Sequence, residues 1–185
     1  QRLASRYVAR MPEKEALTFK QQFETELADV EDRLPEKAVK VLLLDGHRTL
    51  WNYAEGTERF VDYEKLIDYY HTTEHLSKAA EALFGQGSRR AEGWYNQYRV
   101  KLLEEDDAAA AILRSLDYYS HRQRLGKTRR NALAQERTFF SRNRRRMTYA
   151  SFRRRGLPIG NGPVEAACKT LVKTRLCRSG MRWSR

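Results

Sequence analysis

The stretch His71-Thr72-Thr73-Glu74-His75 sets two imidazoles and a carboxylate within five residues. H-x-x-E-H is the inverted zinc-peptidase signature, in which the histidines hold a metal and the glutamate activates water. That chemistry needs a further carboxylate from downstream. The acids between His75 and Glu165 are few: Glu81, Glu92, the cluster at 104–107, Asp117 and Glu136. A second constellation is more widely spaced. Asp45 closes the apolar run "AVKVLLLD" (38–45), and Glu165 lies in "GLPIGNGPVEAACK", a segment punctuated by glycine and proline. Carboxylates converging from separate elements are what two-metal phosphoryl transfer requires, with ions about 3.5 to 4 Å apart serving the attacking and leaving oxygens. By spacing alone, Asp45-Gly46 is equally an ordinary turn, and Glu165 an ordinary first-turn residue favoured by the helix dipole.

The elements that must position these groups follow from periodicity. "RLASRYVARM" (2–11) reads as a short strand. From Pro12, residues Ala16, Phe19, Phe23, Leu27 and Val30 recur at steps of three and four, which predicts a helix ended by Pro35. The continuous apolar run at 38–45 predicts a strand buried on both faces, and "EKLIDYY" (64–70) a second, parallel one ending near Asp68. A helix spans Arg48 to Glu55 between them. Residues 70–155 carry amphipathic helical patterns with no strand signal, and a cap at Asn161 or Gly162 with Pro163 in the first turn starts a final helix that holds Glu165. The predicted class is α/β with few short strands, interrupted by a large all-α insertion and predominantly helical overall. Its parts are an α/β segment (1–69), the helical insertion (70–155) and a final helical segment (156–185), which the resemblance described below makes a partial core and a returning core helix. "GQGSRR" (85–90) reads as a turn between helices, and Trp94, Tyr95, Tyr98, Tyr118 and Tyr119 as helix packing.

Charge is polarised along the chain. Of 185 residues, 36 are Lys or Arg and 24 Asp or Glu. Residues 121–185 hold 19 of the basic residues and only two acids, Glu136 and Glu165. Aromatic residues Phe139, Phe140, Tyr149, Phe152 and Trp183 are interleaved among them. This is the electrostatic footprint of a phosphate-binding surface. The runs Arg144-Arg145-Arg146 and Arg153-Arg154-Arg155 contain no acid of their own, which points to a polyanion as their partner. Two cysteines, Cys168 and Cys177, lack C-x-x-C spacing and read as reduced thiols. No apolar run is long enough for a transmembrane span, so no membrane partner is expected and the expected location is the cytoplasm.

Four segments carry a resemblance: "YVARMPEKEALTFKQQFETEL", "VLLLDGHRTLWNY", "LIDYYHTTEHLSKAAEALFG" and, most specifically, "RNRRRMTYASFRRRGLPIGNGPVEAACKTLVKTRLCRSGMRW". In them the sequence resembles bacterial insertion-sequence transposases of the ISKra class, a DDE group with an RNase H-like catalytic core. The resemblance implies that Asp45 is the second catalytic acid and Glu165 the third, together holding Mg²⁺ or Mn²⁺, with Asp68, His71 and His75 as auxiliary groups. It implies DNA as the partner, both transposon ends and target, a homo-oligomer, and a place at the bacterial nucleoid. Arg142, Arg144, Arg145, Arg146, Arg153, Arg154, Arg155, Lys169, Lys173 and Arg175 are the expected DNA contacts. It also implies that the first two strands, with the first Asp, and a helical segment after "GMRW" lie outside this sequence, so that this polypeptide alone is inactive. The alternatives from other classes are a catalytically dead DNA-binding remnant and the H-x-x-E-H zinc peptidase.

Overall fold

The computed structural model describes residues 6, 8, 13–160 and 162. The chain divides into two units, Gln1–Val39 with Pro163–Arg185, and Lys40–Gly162. In the first unit a short 3-10 turn, Lys14–Ala16, precedes helix α1, Leu17–Glu31. The helix therefore begins five residues later than Pro12. Glu15 and Ala16 adopt positive φ, and Glu13 reaches across that kink, its carboxylate accepting the Phe19 N–H at 2.9 Å and the Thr18 hydroxyl at 2.7 Å. A side chain outside the helix thus satisfies a first-turn donor that would otherwise be orphaned.

The second unit holds two strands, β1 (Val41–Leu44) and β2 (Glu64–Ile67), connected by helix α2 (Arg48–Gly56) and a 3-10 turn, Glu58–Phe60. The strands pair in parallel, Val41 opposite Glu64 through Leu44 opposite Ile67. A parallel pair needs such a crossover, since a hairpin cannot reverse the chain twice. Leu66 and Ile67 are fully buried, whereas all four residues of β1 are only half-buried. The apolar run predicted a strand covered on both faces; among the described residues β1 has a single neighbouring strand, and its coverage is correspondingly partial.

Helices α3 (Tyr69–Phe84), α4 (Arg89–Glu104), α5 (Ala108–Arg122), α6 (Lys127–Asn143) and α7 (Tyr149–Arg154) follow with no strand between them. The described chain is predominantly helical with one small parallel sheet. α3 is the central helix, packed on α4 and α6. Its small residues Ala79 and Ala80 and the fully buried Leu76 and Leu83 let the neighbours approach closely. Gly85 and Gly87 adopt positive φ in the turn before α4, and Ser88 caps that helix by accepting the Ala91 N–H at 3.1 Å. Trp94 is buried and its Nε1–H donates to Ser115 Oγ at 2.8 Å, the packing role expected of it, while Tyr118 is half-exposed. No described helix is long and apolar enough to cross a membrane.

Candidate functional site

The parallel register fixes which residues leave the sheet together. One residue past Leu44 stands Asp45, and one past its partner Ile67 stands Asp68, so both carboxylates occur at the C-terminal edge of the pair. That edge is where open parallel sheets bind ligands, because the connections diverge there. The Asp68 N–H donates to Leu44 O at 2.7 Å, tying the two strand ends together. Asp45 is held from both sides: its carboxylate Oδ1 accepts the His47 N–H at 2.8 Å, and its carbonyl accepts the Trp51 indole N–H at 2.7 Å. Trp51 is buried, so α2 pins the loop that carries the acid.

Asp68 is only 1% exposed and is the N-cap of α3, its Oδ1 accepting the His71 N–H at 2.8 Å. The capping interaction explains a buried carboxylate that sequence alone marks only as a strand-end acid. Gly160 lies against it: a methyl group there would stand 3.7 Å from Asp68 Oδ2 and 2.8 Å from the Tyr70 ring. The neighbouring Ile159 carbonyl accepts the Tyr69 N–H at 2.9 Å. The segment after α7 therefore returns to the strand edge from which α3 departs.

The two histidines have different surroundings. His71 sits over the Asp45 loop, since a methyl group on Gly46 would come 2.8 Å from His71 Nε2 and 2.7 Å from Phe139 Cε2. His75 stacks on Phe139 with ring centroids 3.6 Å apart, and its Nδ1 lies 2.6 Å from Glu136 Oε2. Glu136 is 7% exposed and supplies the partner that a half-buried imidazole needs. Glu74 is exposed on the helix, with its Oε2 4.0 Å from His71 Nδ1. Among the described residues no group of three or more His, Cys, Asp or Glu is arranged to hold a metal ion. Tyr149, at the end of the chain's helical excursion, is buried and its hydroxyl lies 2.7 Å from Thr72 Oγ1; burial pushes its phenol well above the ordinary range. Glu136, Phe139, Gly46 and Gly160 are the residues that sequence reasoning did not assign to the site. Glu136 did leave a signal, as one of two acids in a segment otherwise full of arginine.

The arginines separate into two groups. Arg146 pairs with Glu55, donates to Asn143 Oδ1 at 2.9 Å and lies 4.0 Å above the Trp51 ring. Arg154 bonds Asp106 at 2.5 Å, Arg155 forms a two-pronged bridge to Glu64 at 2.5 and 2.6 Å, and Arg153 donates to the Leu103 carbonyl at 3.0 Å. The Arg155 bridge holds the Glu64 carboxyl below its ordinary range, and Arg154 does the same to Asp106. Arg154 and Arg155 thus meet carboxylates brought from elsewhere in the chain, and Arg153 meets a backbone carbonyl. Arg142, Arg144 and Arg145 are exposed and make no hydrogen bond or ion pair with another described residue. Glu165, Lys169, Lys173 and Arg175 lie outside the described residues. Set against protein-family models, curated proteins and solved structures, the chain matches none of them.

Proposed function

We propose that this chain is the catalytic-core portion of a DDE transposase of the ISKra class, with an RNase H-like fold, acting on DNA by in-line displacement at phosphorus. The observation that carries the reading is the position of Asp45 at the C-terminal edge of a parallel strand pair, on a loop from which a hollow leads to the exposed Arg142. The sequence resemblance supplies the third acid, Glu165. On this reading helices α3 to α7 are the insertion, residues 70–155, that separates the second and third acids in that class.

Asp45 has one carboxylate oxygen engaged by the His47 N–H and presents a hard donor of the kind Mg²⁺ and Mn²⁺ take. Asp45 and Glu165 are the residues that would hold such ions. When bound, a metal pair activates the attacking water or 3′-hydroxyl and stabilises the charge on the leaving oxygen. The protein's own contribution is positional. α2 and Trp51 fix the Asp45 loop, Asp68 caps α3 and so orients His71, and the His71 ring excludes any larger residue at Gly46. His71, whose Nε2 lies against Gly46, is one group beside that loop able to donate a hydrogen bond to a phosphate oxygen. Hydrolysis of the strand and joining of the freed 3′-OH are both displacements at phosphorus, so one site can perform both in turn.

The test is excision of a marked copy of the parent element in cells producing its complete transposase, unsubstituted or with Asp45→Asn or Glu165→Gln. Each substitution is expected to abolish excision while DNA affinity persists. Undiminished excision by either variant overturns the assignment. An unsubstituted protein that binds DNA yet never excises is the non-catalytic binder instead.

A further inference from the structure

Two hollows adjoin on the surface between α2 and the C-terminal end of α6. The first, about 430 Å³, reaches from Gly46 and Arg48 past Asn52 and Gln135 to Arg142. The second, about 590 Å³, continues from Arg142 to Lys65, Arg144 and Arg145. Glu55, Arg142 and Arg146 line both, so the two form one groove. Its charge is one-sided. Arg48, Arg142, Arg144 and Arg145 are exposed along it, and its single acid, Glu55, is taken up by Arg146. Arg146, 4.0 Å from the Trp51 ring centroid and paired with Glu55, belongs to the floor of the groove, and its charge is spent within the fold.

We propose that this groove is a track for the phosphodiester backbone of a nucleic-acid strand, leading it to the Asp45 loop at the Gly46 end. Four uncompensated guanidinium groups around one hollow repel each other, and a chain of phosphates spaced along a strand relieves that repulsion better than a single small anion. Asn52, Gln135 and Thr138 line the end nearest Asp45. The Asn52 and Gln135 amides can donate to phosphate and sugar oxygens there, the contacts that set register rather than sequence. Arg142, shared by both hollows, is the pivot of the track. The identification of the strand as DNA rests on the transposase reading above; the track itself follows from the groove.

The experiment measures affinity of the chain for a random-sequence DNA duplex across a range of salt concentrations. The test variant is Arg142→Ala/Arg144→Ala/Arg145→Ala. The control is Arg122→Ala/Arg124→Ala/Lys127→Ala, which removes the same net charge around the α5–α6 turn, at the start of α6, a helix of 17 residues and so about 24 Å long. All six side chains are exposed, and circular dichroism verifies that both variants fold. The groove variant is expected to lower the slope of log affinity against log salt by about 2 to 3, the value for three lost phosphate contacts, with the control close to the unsubstituted chain. Equal losses in the two variants overturn the track while leaving DNA binding intact. Absence of any salt-sensitive DNA binding by the unsubstituted chain overturns the track and the transposase reading together. A single-stranded RNA that displaces DNA from the groove retains the phosphodiester track but overturns DNA as its occupant.

Discussion

Gly46 is where a single atom decides the geometry of the site. Its backbone does not demand glycine, yet an added methyl would meet the His71 ring at 2.8 Å and Phe139 at 2.7 Å. Gly46→Ala is expected to cost about 1 to 3 kcal/mol, the range for overpacking, and to displace His71 from the Asp45 loop. Urea unfolding, read together with excision, checks both parts. Arg146 offers the opposite lesson. Removing its pair with Glu55 and its stacking on Trp51 by Arg146→Ala should cost about 1 to 2 kcal/mol. Alanine at Arg142 or Arg145 should change stability by no more than about 0.5 kcal/mol, so thermal denaturation separates the floor arginine from the exposed ones. The sequence shows these residues as one basic run. It cannot sort them, because the carboxylates that engage Arg146, Arg154 and Arg155 lie 91, 48 and 91 residues away. The role of Asp45 as a strand-end acid was legible, since an apolar run ending in Asp-Gly announces its own terminus.

Among elements, the strand pair was the most legible feature, its two short apolar runs and the helix between them leaving little choice but a parallel crossover. The start of α1 was the least. Proline at 12 and the spacing of Phe19, Phe23 and Leu27 favour an early start, whereas the Glu13 carboxylate and the kink at Glu15 and Ala16 delay it to Leu17. Such a side-chain bond to the backbone across six residues has no periodic signature. The junction of β2 with α3 separates two roles that one residue combines. Asp68→Ala removes the cap and should destabilise by about 1 to 2 kcal/mol, whereas Asp68→Asn keeps a capping oxygen and should lose far less. If Asp68 also serves DNA processing through its charge, the asparagine variant will fold normally by denaturant titration and still excise slowly.

At the scale of the whole molecule, the acids of the N-terminal part serve the arginines of the C-terminal part. Hydrogen bonds from Arg155, Arg154 and Arg137 hold Glu64, Asp106 and Asp117 below their ordinary values of 4.5, 3.8 and 3.8. Carboxylates lowered on folding stabilise above their unfolded values, and that contribution is lost as pH falls through the folded ones. Stability should thus be level around neutrality and decline as pH drops below about 4.5. Because these pairs are largely exposed, the decline should be shallow and further flattened by salt, which thermal melts at two ionic strengths would show. Their partners are distant in sequence, which is why the charge polarity was legible while its internal neutralisation was not. The bond from Tyr69 N–H to the Ile159 carbonyl carries a different consequence. The chain leaves the sheet at Tyr69 and comes back to the same point some ninety residues later, so the helices between are a detour whose entrance and exit coincide. A detour of that shape can be lengthened or nicked at its outer turn at 85–88 without moving either strand end. That turn is therefore the natural place to graft a tag, a reporter or a second binding module onto this protein.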